Sequence, residues 1–181
     1  MPAPSIATTR TRERAMDDAS KSELKGILAT YRARLVDSQD REAKLRTGRA
    51  TFIEVFRTLK ADRIGPVLED VVAQLNEEGH QASIIDQQEA SDRNGHFTPS
   101  SIALRIVPAR MGEASAAHAG SARIEVTFSA NQHTMKVLVS STNNANGTMG
   151  KRGEYDLAEL TEQFVVSNVL KTIREGFAIG K

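Results

Sequence analysis

The chain has 181 residues, enough for one globular domain with an appendage, and its 39% hydrophobic and 26% charged content is typical of a folded protein. Cysteine is absent, which excludes disulfides, thiolate catalysis and every cysteine-based metal site. The net charge of +1 hides segregation, because residues 1–60 carry a net charge of +5, residues 61–100 of −6 and residues 101–181 of +2.

The amino-terminal segment lacks the features of a targeting signal. Residues 1–14 contain no apolar core of the kind that a secretory signal needs, and no later run approaches the ~18 apolar residues that span a bilayer. We therefore expect a cytoplasmic protein with no membrane partner, in which residues 1–19 form a disordered tail.

A long amphipathic helix is predicted over residues 20–60. Ser20 and Glu23 fit a capping box, which places the start of the helix near Ser20. Eleven positions then follow one another in alternating steps of four and three, which is a heptad seam, and eight of them are apolar. The seam positions are Leu24, Leu28, Tyr31, Leu35, Ser38, Glu42, Leu45, Arg49, Phe52, Phe56 and Leu59.

The sequence leaves two possibilities for this helix at Gly48. Thr51 with Glu54 fits a second capping box, so a break and a restart are the alternative to one continuous helix. We favour continuity because the heptad phase passes Gly48 without a slip. Around Phe52 and Phe56 the apolar face widens, as expected where a helix enters a globular core.

Residues 61–181 are predicted to form an α+β domain. Pro66 suits the first turn of a short second helix, which Gly79 ends. Four apolar runs then predict a four-stranded, mainly antiparallel sheet with one packed side, and residues 129–134 fit a hairpin turn. The runs lie at 84–85, 102–106, 124–128 and 135–139, and the polar connections 88–100, 109–121 and 140–154 are predicted loops.

A final helix, packed on the sheet, is predicted to start at the capping box of Asp156 and Glu159 and to end near Gly176. At 100° per residue its apolar residues form two opposite stripes, which one buried face cannot accommodate. Either the helix breaks near Phe164, or it is straight and sandwiched between two layers. We favour the straight helix because no Gly or Pro interrupts residues 157–175.

No pattern in the sequence predicts a catalytic, cofactor or metal site. The segment from Gly147 to Gly153 lacks the spacing of a phosphate-binding loop, because Ala145 stands where the first glycine is needed and Arg152 where Ser or Thr is needed. The four histidines have no metal-ligand spacing, and no nucleophile elbow is present. We therefore assign no catalytic residue, metal ligand or cofactor, and an enzyme is the less favoured class.

The charge pattern beside the heptad seam indicates what the helix binds. With Leu28 and Leu35 as a positions, the flanking e and g sites between residues 25 and 46 include five basic residues and no acidic one. These are Lys25, Arg32, Arg34, Arg41 and Arg46. Self-pairing in either direction places positive near positive, so two partners remain open. One is a second copy that tolerates these charges, and the other is a different helix with acidic flanks, from another protein or from the acidic residues 61–100 of this chain.

The leading hypothesis is a non-catalytic interaction or assembly protein that binds a protein partner through residues 20–50. The predicted interface residues are Leu24, Leu28, Tyr31, Leu35, Leu45, Arg32, Arg34 and Arg41. The alternative is a small-ligand-binding or enzymatic α+β domain with the helix as a dimerisation handle. Its candidate ligand loop at 140–154 contains Asn143, Asn144, Lys151 and Arg152. Nucleic-acid backbone binding along the basic helix is third, because acidic residues interrupt the helix and aromatics make up only 4%.

Overall fold

The structure, a computed structural model, describes residues 17–91, 93, 97–109, 123–142 and 149–178. The predicted disordered tail therefore lies outside the described residues except for 17–19. The chain divides between Leu45 and Arg46 into two compact units, and each is described by itself. The predicted division at residues 19 and 60 stays a prediction.

Helix α1 extends over Asp18–Leu59 without a break at Gly48, as the heptad phase predicted. The predicted cap at Ser20 is wrong by three residues, because Asp17 caps the helix and its Oδ1 accepts the Ser20 N–H at 2.7 Å. Hydrogen bonds from the Ser20 side chain and backbone lower the pKa of Asp17 below its usual value. An aspartate side chain accepts a hydrogen bond from an unpaired N–H of the first helical turn as well as a serine does. The helix therefore begins about one turn earlier than predicted.

A π-helical turn, Lys60–Ile64, joins α1 directly to α2, Gly65–Glu77, so residues 18–77 are helical throughout and the second helix is not separate. The Gly65 N–H bonds to the Lys60 carbonyl five residues earlier. Pro66 has no N–H to donate to the preceding helical turn. The wider π turn accommodates this missing hydrogen bond, so the chain stays helical on both sides of Pro66. A Cβ at position 65 would lie 3.0 Å from the Lys60 carbonyl oxygen, which explains the glycine.

An antiparallel sheet of five strands follows, one more than predicted. Its strands are β1 Gln81–Gln87, β4 Ser101–Val107, β5 Ile124–Asn131, β6 Lys136–Thr142 and β7 Met149–Tyr155, and they pair in this order. The additional strand, β7, lies in the predicted loop 140–154. A two-stranded sheet of β2 Ala90–Ser91 and β3 Phe97–Thr98 lies in the predicted loop 88–100.

One face of the sheet packs against the helices and forms the core. Strand residues Leu104, Val126 and Phe128 are fully or almost fully buried, and Phe56 of α1 and Leu68 of α2 join them. The other face carries Arg105, Glu125 and Thr127, as the alternation predicted. This α+β arrangement confirms the predicted fold class, including the final helix packed on the sheet.

The carboxy-terminal segment breaks, so the favoured straight helix is wrong. A 3₁₀ turn, Leu157–Glu159, carries the predicted capping box of Asp156 and Glu159. Leu160 is buried in the core outside any helix, and helix α3 is Glu162–Ala178, with the Thr161 Oγ1 accepting the Phe164 N–H at 3.1 Å. The break comes a few residues before Phe164 and needs no Gly or Pro, because Thr161 caps a new helix.

Candidate functional site

The described part of α1 before Arg46 exposes a row of large apolar side chains. Leu24, Leu28, Tyr31, Leu35 and Leu45 occupy seam positions and each exposes between 40% and 60% of its surface. We call these five residues the apolar stripe. The first four recur at helical spacing on one face over more than three turns, and Ile27 beside them is also exposed. A surface of this kind is typical of a helix that binds another helix.

The basic residues predicted beside the apolar stripe lie on the same helix and are exposed. Within the described ranges, Lys25, Arg32 and Arg34 have no ion-pair partner. Arg41 forms an exposed pair with Asp37, its Nη2 lying 3.8 Å from the carboxylate Oδ2. Exposed pairs at this spacing contribute at most about 0.5 kcal/mol, so the positive charge beside the stripe remains available to a partner.

The predicted ligand loop is largely strand. Lys151 and Arg152 lie in β7, and Asn143 and Asn144 lie outside the described residues. The Arg152 Nε donates to the Ser141 Oγ at 2.8 Å, and its Nη2 pairs with Glu175 of α3 at 2.5 Å. The Lys151 Nζ pairs with Glu154 at 3.2 Å. Both cations therefore have partners within the fold, Arg152 joining β7 to β6 and to α3.

The histidines do not assemble into a site where they are described. The His80 Nδ1 accepts the Ala109 N–H at 3.0 Å, and its ring packs on Phe177 with centroids 5.1 Å apart. His133 lies in the exposed turn between β5 and β6, and His96 and His118 lie outside the described residues. No group of three potential metal ligands occurs among the residues whose placement is described. Over the same ranges, no helix is long and apolar enough to cross a membrane.

Charge is concentrated on the outer face of the sheet around Glu125, whose side chain is 12% exposed. Its Oε2 accepts hydrogen bonds from the Arg105 Nε at 3.0 Å and from the Arg123 Nε at 3.0 Å. Burial by itself raises the pKa of this carboxyl, but the hydrogen bonds and positive charges of the two arginines outweigh it, and the pKa lies below the ordinary value of 4.5.

Sequence reasoning missed a polar cluster at the π turn. Lys60 is buried, and its Nζ pairs with Asp86 and donates to the carbonyl oxygens of Gln87 at 3.3 Å and Ser101 at 3.4 Å. Three acceptors satisfy the ammonium group, which explains how a charge is tolerated inside the fold. No local pattern predicts this, because the acceptors lie 26 to 41 residues along the chain.

Comparison with known proteins gave no relative. No protein-family model, no curated protein and no solved structure matches the chain.

Proposed function

We propose that the protein is a non-catalytic interaction protein that uses the apolar stripe of α1 to bind another helix. The observation that carries this proposal is the exposure of Leu24, Leu28, Tyr31 and Leu35 on one helical face. Apolar area removed from water contributes roughly 25 cal/mol per Å², so covering these half-exposed side chains favours association with another helix. A helix is the natural occupant, because residues at steps of three and four fit into the grooves of a second helix.

The charges beside the stripe favour a partner with acidic flanks over a second copy. In a parallel pair of identical helices Arg41 would lie opposite Arg46, and in an antiparallel pair like-labelled flanks meet. Acidic residues at the facing positions would complement Lys25, Arg32 and Arg34 instead. Such complementarity selects the partner and speeds association more than it adds affinity.

The test replaces two residues of the stripe. Leu28→Asp with Leu35→Asp is expected to weaken helix binding at least a hundredfold, because two charged groups would be buried in an apolar contact. The probe is a synthetic heptad peptide with Leu at its a and d positions and Glu at e and g. Binding is measured by fluorescence anisotropy, and self-association by sedimentation.

The control is Val36→Asp, which changes a more exposed apolar residue about 100° around the same helix from Leu35. It should alter binding less than threefold. If the wild-type chain sediments as a monomer at high concentration and does not bind the acidic peptide, the proposal is wrong. A peptide with Lys at e and g separates the partner classes, because the charge argument requires it to bind more weakly.

A further inference from the structure

A groove of about 300 Å³ runs beside strand β1, between the edge of the sheet and the helical segment around the π turn. Its helical side carries Ala61, Gly65 and Glu69, four residues apart, and its strand side carries Ile84, Asp86 and Gln88, two apart. The first spacing places side chains on one face of a helix and the second places them on one face of a strand. The groove therefore lies between the helical segment and strand β1, and Ile102 of β4 lines it as well.

The outer edge of β1, next to this groove, has main-chain hydrogen-bonding groups that no other described strand uses. The Ser100 carbonyl accepts the Ala130 N–H at 2.9 Å, so alternate residues of β4 bond to β5 and those between them bond to β1. By the β1–β4 register, the N–H and C=O groups of Ile84 and Asp86 point away from the sheet. No strand among the described residues pairs with β1 on that side.

One end of this free edge is already occupied by a side chain, and an ion pair lies beyond the other end. The Asn76 Oδ1 accepts the Ala82 N–H at 2.9 Å and its Nδ2 donates to the Ala82 carbonyl at 3.4 Å, as a neighbouring strand would. Beyond the other end, the Arg57 Nη2 pairs with Glu89 at 2.6 Å. The open stretch from Ile84 to Gln88 is roughly 13 Å long at about 3.3 Å per residue, room for four or five residues of an added strand.

The lining of the groove carries two cations, Arg57 and Lys60, and both are paired with carboxylates of the fold. Lys60 is held by Asp86, and Arg57 is shared between Glu54 and Glu89, each at 2.6 Å. Glu69 has no ion-pair partner in the described part of the chain. The Glu89 Oε2 is buried and accepts no hydrogen bond there. Among the described residues, the Glu69 carboxylate is thus without a cation, while Arg57 and Lys60 are already neutralised by other carboxylates. This arrangement favours a positively charged ligand that donates hydrogen bonds.

We propose that this groove binds a basic, extended segment of a partner protein, which pairs with Ile84 and Asp86 as an additional strand of the sheet. Main-chain hydrogen bonds supply affinity in this mode of binding, and side chains on alternate residues supply specificity. A lysine or arginine side chain at one of the alternate positions would reach Glu69. The added strand also covers an edge that otherwise exposes unpaired main-chain groups.

The test uses the full chain and a labelled heptapeptide, Lys-Thr-Lys-Val-Lys-Thr-Lys, with its Glu-for-Lys counterpart as the charge control. Binding of the lysine peptide should slow amide hydrogen exchange of Ile84 and Asp86 at least tenfold, because both N–H groups acquire acceptors. The glutamate peptide should bind at least tenfold more weakly. Absence of binding by the lysine peptide, or unchanged exchange at both amides on saturation, overturns the proposal.

Two alternately N-methylated versions of the lysine peptide separate strand pairing from charge attraction. Methylation of the edge that faces β1 should weaken binding at least tenfold, and methylation of the opposite edge should change it less than threefold. Equal binding by both versions would mean attraction by charge alone and would overturn the strand-pairing proposal.

A pair of protein variants locates the site. Glu69→Lys should weaken the lysine peptide about tenfold, because an attraction becomes a repulsion in the groove. Asp70→Lys makes the same change of net charge one residue later on the same exposed helix and should change affinity less than threefold. Equal effects of the two variants would place the peptide elsewhere and contradict the proposal.

Discussion

Helix α1 contains two regions that follow the same heptad pattern and have opposite surroundings. From Leu24 to Leu45 the apolar seam residues expose 40% to 60% of their surface, whereas Phe52, Phe56 and Leu59 are buried in the core. The pattern therefore predicts which face of a helix is apolar, and it does not reveal whether that face is covered by the same chain or by a partner. The difference between the regions can be tested by substitution.

The largest difference should come from removing one seam side chain in each region. Phe56→Ala should lower the free energy of unfolding of the globular unit by about 3–5 kcal/mol, because Phe56 is fully buried and its loss leaves a cavity. Leu28→Ala should change the same quantity by less than about 0.5 kcal/mol. Urea denaturation of dilute protein measures both. A large loss with Leu28→Ala would show that its surroundings resemble those of Phe56.

A smaller difference is expected from the two glycines of the helix. Alanine at a helical glycine position gains up to about 1 kcal/mol from backbone propensity. A Cβ at Gly26 would meet nothing within 4 Å, whereas at Gly48 it would lie 3.4 Å from the Met135 Sδ. Gly26→Ala should therefore gain the full helix-propensity contribution to stability. Gly48→Ala should gain at most the same amount, because its new methyl group meets Met135. Circular dichroism and hydrogen exchange along α1 measure this, and reduced helix content in Gly26→Ala would contradict it.

The smallest effect concerns pH and the globular unit. Because the folded-state pKa of Glu125 is lowered, its contribution to stability is present above the ordinary value of 4.5 and is lost as the pH falls through the folded-state pKa. Glu125→Gln should remove this part of the pH dependence, worth less than about 1 kcal/mol given the exposure of both arginines. Unfolding curves of both proteins from about 2 pH units below to about 2 pH units above 4.5 measure it. Parallel curves would contradict the assignment.

Much of the fold was predictable because its signals are local. Alternating apolar residues identified β4, β5 and β6, and the unbroken heptad phase identified the continuity of α1 past Gly48. Strand β7 was missed because Gly150, Lys151 and Arg152 give no alternation, and its residues become a strand only by pairing with β6. Tertiary contacts of this kind decide strands that propensity does not.

The candidate sites, too, were predictable only where their signals are local in the sequence. The residues of the apolar stripe were predicted from spacing, and the structure adds that they are exposed. The groove beside β1 was not predictable, because it joins a helix to a strand edge through Lys60 and Asp86, 26 residues apart. The Arg57 contact with Glu89 spans 32 residues and is equally invisible in a local pattern.

The π turn is equivalent to a one-residue insertion in an otherwise regular helix. Before it, burial follows Phe52, Phe56 and Leu59, and the next heptad position is Arg63, which is exposed. After it, burial resumes one residue later, at Ile64 and Leu68. Removing one residue such as Ala61 would place Ile64 at the heptad position that Arg63 occupies. Chain length, rather than side-chain identity alone, thus keeps both helical segments facing the same sheet.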